Sequence, residues 1–269
     1  MVIFAFLKKQ DYMRKWNYLI ILLAFVVPAG SHATAQEKQN LNIVFIGNSI
    51  TQGVILDDPK HEAPPVQAAL YLRTQPSIGV VRYSNQGVSG STTLDFLPES
   101  GRLFPNVTHA ADQFRGETWA TLLFSIMLGT NDSAITGPHG APVSPTQYYE
   151  NMKAIIDRLL ALYPNCKVVV HRPVWYSPNT YNGAKYLEEG LNRLQTYYPQ
   201  LQALVKDYSA RFPNQVFMGD TEGFDYFKTH HKEELFAEDG NAGTFYLHPN
   251  KQGARALGKL WGKAILLSL

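Results

Sequence analysis

Among 269 residues there is a single cysteine, Cys166, so the chain can form no internal disulfide. It lies far from the amino terminus and cannot be a lipid-bearing cysteine there. Its place between Pro164-Asn165 and the apolar run at 167–171 suits a buried thiol at a strand start, not a nucleophile. Charge of one sign is also missing. The chain carries 24 basic and 22 acidic residues, which gives no footing for nucleic acid or an anionic membrane as partner. Metal-binding spacing is absent too. His230 and His231 are adjacent, His61, His109, His139 and His171 are scattered, and no H-x-x-x-H or H-E-x-x-H occurs. Neither a metal nor a cofactor is expected. Finally, no internal repeat, low-complexity tract or Pro/Gly-rich linker divides the sequence.

The one conspicuous apolar run, residues 18–27, has ten residues and is too short to span a bilayer. It follows Lys8, Lys9, Arg14 and Lys15 and precedes Pro28, Gly30 and Ala33-Thr34-Ala35. A basic region, a short apolar region and an A-x-A site in that order form the pattern of a secretory signal peptide, residues 1–35. Met13 also offers a complete start. Removal takes four basic residues and one acidic, Asp11, so residues 36–269 keep a net charge of −1. The expectation is a single domain over 36–269 in a bacterial protein that is secreted or periplasmic and has no stable membrane association after leader removal.

Five near-continuous apolar runs read as buried parallel strands: 41–47, 80–85, 121–128, 167–171 and 215–219. Helical patterning fills about 63–74, 146–162, 184–211 and 251–267. Strands alternating with helices predict a three-layer α/β/α sandwich around a central five-stranded parallel sheet. In such sheets, ligands bind beyond the carboxyl ends of the strands. Four short polar motifs fall there: Gly47-Asn48-Ser49-Ile50-Thr51, Asn85 to Gly90, Gly129-Thr130-Asn131-Asp132, and His248-Pro249 before the last helix.

A serine hydroxyl needs a base to take its proton and fixed donors for the oxyanion that follows. Ser49 can be the nucleophile and His248 the base. Gly90 lets an oxygen approach its N–H closely. The Asn131 amide and the Ser49 N–H can complete the oxyanion hole. These residues, in this order, resemble the SGNH (GDSL-type) hydrolase family. Its G-D-S-x-T block matches Gly47–Thr51 with asparagine for aspartate, N-x-x-x-x-G matches Asn85–Gly90, and G-x-N-D matches Gly129–Asp132. The resemblance implies a flavodoxin-like hydrolase fold, Ser49 as nucleophile, His248 as base, and Ser49, Gly90 and Asn131 as oxyanion donors.

The family's D-x-x-H-P block is met only by His248-Pro249, because Phe245 stands at the aspartate position. A phenyl ring cannot accept the Nδ1–H bond that fixes an imidazole tautomer. Two substitutes are open: Asp239, reached by a loop, or a main-chain carbonyl in a Ser–His dyad. The dyad is favoured. Family members cleave many esters, and the chain looks most like secreted sialate or carbohydrate O-acetylesterases. Trp175, Tyr176, Tyr181 and Tyr186 are rings that can stack on a sugar face. The substrate expected is a small-molecule or glycan ester, above all an O-acetylated carbohydrate. A lysophospholipase or broad acyl-esterase is the alternative, and a non-catalytic glycan-binding protein the second.

Overall fold

The computed structural model describes residues 37–269; the expected leader, residues 1–35, lies outside them. β1 (Gln39–Gly47) is buried from Leu41 onward, so both faces of the strand are covered. It leads into the one-turn α1 (Ser49–Gln52), then α2 (Pro59–Glu62) and α3 (Pro64–Arg73). β2 (Ile78–Gly87), α4 (Phe104–Asp112), β3 (Thr121–Met127), α5 (Pro145–Leu162), β4 (Lys167–Val170), α6 (Leu187–Arg211) and β5 (Val216–Met218) follow. The chain ends with α7 (Gly223–Glu234), β6 (Leu235–Gly240), β7 (Gly243–Pro249) and α8 (Lys251–Leu267).

The five main strands form one parallel sheet in the order β2-β1-β3-β4-β5. Alternation along β1 fills the two faces differently. Phe45 stacks on Trp261 of α8 at 6.0 Å between centroids. Val44 pairs with Phe124 of β3, which meets Tyr163, just past α5, at 5.5 Å on the opposite face. The result is the expected α/β/α sandwich. Strand order reverses between β1 and β3, which places the ligand crevice at the ends of those strands. Cys166 is buried just before β4, and burial pushes its thiol up to about 12.

The short α2, the helices α4 and α7, and the antiparallel pair β6–β7 were not foreseen from the pattern. α7 buries few apolar residues, among them Phe224 and Phe227, on an otherwise charged segment, so its stripe is weak. The hairpin alternates too briefly to stand out. Among the described residues, no helix is long and apolar enough to cross a membrane.

Candidate active site

At the end of β1, Asn48 caps the single turn of α1, its Oδ1 accepting the Ile50 N–H at 3.0 Å. This turn fixes Ser49, whose own N–H lies in the first turn where a helix offers no internal acceptor. Asn85 ties the end of β2 to the turn: its Nδ2 donates to Thr51 O, and its Oδ1 accepts the Gly87 N–H, both at 2.9 Å. Beyond it, Gly90 adopts φ +76°, a conformation glycine enters without strain, and nothing packs where a Cβ would be. The space beside its α-carbon is therefore open.

Asn131 follows β3 and is buried. Its Nδ2 donates to Ser91 O at 2.8 Å, and its Oδ1 accepts the Tyr186 hydroxyl at 2.6 Å. Asp132 accepts from both the N–H and the hydroxyl of Thr93, the N–H at 2.9 Å. The loop bearing Gly90 is thus bonded to the loop bearing Asn131 at two points. Burial raises the Asp132 carboxyl to about 6, against the lowering effect of the Thr93 hydrogen bonds.

His248 brings the fourth motif in from β7. Its Nε2 lies 3.0 Å from Ser49 Oγ. Its Nδ1 is 2.9 Å from both carboxylate oxygens of Glu238, and its main-chain N–H donates to Glu238 Oε1 at 3.1 Å. The partner is therefore a side-chain carboxylate, neither a main-chain carbonyl nor Asp239. Successive residues of a strand point to opposite sides. Glu238 turns inward, and Asp239 is exposed and pairs with Thr244 across the hairpin. Phe245 is buried in the main core.

Ser49, Gly90, Asn131 and His248 line one open cavity of about 470 Å³, together with Asn182 and Tyr186. The sequence reading weighed Asp239 and a main-chain carbonyl as the partner of Nδ1 and missed Glu238, the residue next to Asp239. No local signal was available, because only the pairing of 235–240 with 243–249 in a hairpin carries Glu238 beside His248. Of the suggested sugar-stacking rings, only Tyr186 lines this cavity. Trp175, Tyr176 and Tyr186 are buried, Tyr176 and Tyr186 edge to face at 5.4 Å, and Tyr181 is half-buried.

The profile of the GDSL-like lipase/acylhydrolase family matches residues 45–256. No curated protein matches the chain. Among solved structures, it is similar to a carbohydrate acetylesterase from Sinorhizobium meliloti: 18% identity, TM-score 0.56, covering 85% of this chain and all of that one. It is also similar to an aryl esterase from M. smegmatis, at 19% identity and TM-score 0.55, with 85% and 100% covered. A lipase/acylhydrolase from Enterococcus faecalis matches at 19% identity and TM-score 0.52, with 84% and 95% covered. At these identities the likeness speaks for the fold alone.

Proposed function

This chain belongs to the GDSL-like lipase/acylhydrolase family, whose members hydrolyse carboxylic esters, and from that premise we propose that Ser49 attacks the ester and His248 serves as its base. The 3.0 Å contact between Ser49 Oγ and His248 Nε2 carries the reading. As the hydroxyl oxygen bonds to the acyl carbon, its proton passes to Nε2. Glu238 accepts Nδ1–H, holds the tautomer that leaves Nε2 free to act, and stabilises the imidazolium. The carbonyl oxygen, now an oxyanion, takes hydrogen bonds from Ser49 N–H, Gly90 N–H and the second Nδ2–H of Asn131. His248 then returns the proton to the departing alkoxide. A water, activated by the same base, releases the acid and restores Ser49.

The substrate proposed is an O-acetylated carbohydrate met outside the cytoplasm. Two things support it: small and polar residues, Gly90, Asn131, Asn182 and Gly183 among them, line the cavity, and residues 1–35 have the leader pattern. Acetate release from a panel of acetylated glycans, sialic acids included, tests it, with p-nitrophenyl acetate and octanoate run in parallel. Acetyl esters should turn over at least about tenfold faster than octanoyl, and Ser49→Ala should abolish both. A preference for octanoate would make it a broad acyl-esterase or lysophospholipase. Wild-type turnover by Ser49→Ala would remove the serine mechanism.

A further inference from the structure

We propose that Tyr186 is a positioning residue for the oxyanion hole, holding the Asn131 amide with its nitrogen toward the reacting oxygen. The proposal rests on the reading of Asn131 as an oxyanion donor and deepens it. An asparagine amide presents a donor at one end and an acceptor at the other, and a half-turn about its last bond exchanges them. An exchanged Asn131 would aim a carbonyl oxygen at the developing negative charge. One neighbour forbids this, and the other braces the opposite end of the amide. Ser91 O can only accept, and it faces Nδ2 at 2.8 Å. The Tyr186 hydroxyl donates to Oδ1 at 2.6 Å.

The orientation is set by Ser91 O; the tyrosine anchors Oδ1 and tunes the donor at the other end. Ser91 O takes one Nδ2 hydrogen, and the second is the one that meets the oxyanion. Donation into Oδ1 draws electron density from the amide nitrogen and strengthens that second donor, as happens along chains of hydrogen bonds in a low-dielectric interior. The gain grows with charge on the substrate oxygen, so it belongs to the transition state rather than to ground-state binding.

The chain geometry around Tyr186 suits this role. Its ring is buried against Tyr176, whose hydroxyl is 2.8 Å from Ser133 Oγ. The next residue, Leu187, adopts φ +53°, a left-handed conformation that costs a branched side chain energy and persists where surroundings require it. Both the Tyr186 and Leu187 N–H groups donate to Thr180 O, at 3.2 and 3.1 Å. The backbone is thus turned sharply where the phenol enters the site. Burial also keeps that phenol protonated, well above its ordinary range, so it remains a donor at every working pH.

The test is Tyr186→Phe, which keeps the ring and deletes one oxygen, measured in the wild-type and Asn131→Ala backgrounds on p-nitrophenyl acetate. In the wild type, kcat should fall about tenfold, the worth of one such hydrogen bond, with KM unchanged. Affinity for a trifluoromethyl ketone, which forms an oxyanion adduct with Ser49, should weaken by a similar factor. Asn131→Ala alone should lower kcat by about 10²–10³. In that background Tyr186→Phe should change kcat less than about twofold, since the two act as one unit. A tenfold loss in both backgrounds, or a raised KM at constant kcat, would show that Tyr186 works independently of Asn131 and overturn the proposal. If Asn131→Ala itself left kcat unchanged, the oxyanion reading of Asn131 would fail first and take this inference with it.

Discussion

At Phe245 a buried ring occupies the place where the last family block carries an aspartate, and Glu238 meets His248 Nδ1 with both oxygens at 2.9 Å. A carboxylate reaching in from the neighbouring strand takes the place proposed for the missing residue, because the imidazole responds to the position of the acceptor and not to its sequence spacing. Glu238→Gln should therefore cost about 10³–10⁴ in kcat, since an amide can also donate to Nδ1 and favour the wrong tautomer. Asp239→Asn, on the exposed side of the same strand, should change kcat less than about twofold. Steady-state hydrolysis of p-nitrophenyl acetate by both variants checks the pair, and the reverse ranking would move the role to Asp239.

The hairpin β6–β7 carries both Glu238 and His248, so its placement decides whether Ser49 has the base proposed for it. It is fastened to the loop before α6 at several points. Asn241 N–H donates to Tyr181 O at 2.7 Å, Asn179 Nδ2 to Thr244 O at 2.7 Å, and Ser177 N–H to Tyr246 O at 2.9 Å. At Gly240 the fit is closest: a Cβ there would lie 2.4 Å from Tyr181 O and 2.8 Å from the Phe245 ring. The carbonyl is backbone and cannot swing aside. Gly240→Ala should displace the hairpin, destabilise the protein by about 1–3 kcal/mol and lower kcat more than it raises KM. Urea unfolding together with steady-state kinetics tests this; a variant with wild-type stability and kcat would show that the hairpin tolerates the shift.

At the scale of the whole molecule, three buried groups among the described residues, His171, Asp132 and Asp220, shape stability against acid pH. Burial lowers His171 from 6.5 to about 3; its Nδ1 accepts the Asp220 N–H at 2.9 Å, so a proton there would oppose a donor. The unfolded chain binds that proton first, so this contribution is complete above about 6.5 and is lost as pH falls toward 3. Asp132 and Asp220 behave oppositely. Burial raises each from 3.8 to about 6, so the folded state holds protons that the unfolded state has released. Their contribution is full below about 4 and disappears as pH rises through 6. The opposing windows overlap, so stability should hold or rise from pH 6 to 4 and fall steeply below about 4. Asp132→Asn should remove part of the offset, and its stability advantage over wild type should grow as pH rises from 4 to 6. Urea midpoints at half-unit pH intervals measure both effects; a steady loss of wild-type stability from pH 6 to 4 would contradict them.

The five parallel strands and the carboxyl-end location of Ser49, Gly90, Asn131 and His248 were legible in the sequence, because each rests on a local pattern. A strand buried on both faces is a continuous apolar run, and the polar motif that ends it follows directly along the chain. Those same motifs carried the family. Nothing local distinguished Glu238 from Asp239, since adjacent carboxylates in one strand differ only in the side of the hairpin they face. Nor could Tyr186 be told from a sugar platform before its ring was seen to be buried and its hydroxyl to lie on Asn131. Both assignments depend on partners about ten and 55 residues away. Which side chain meets which is settled there by the register of β6 on β7 and by the turn at Leu187, and that register and turn exist only once the hairpin and the sheet are packed together.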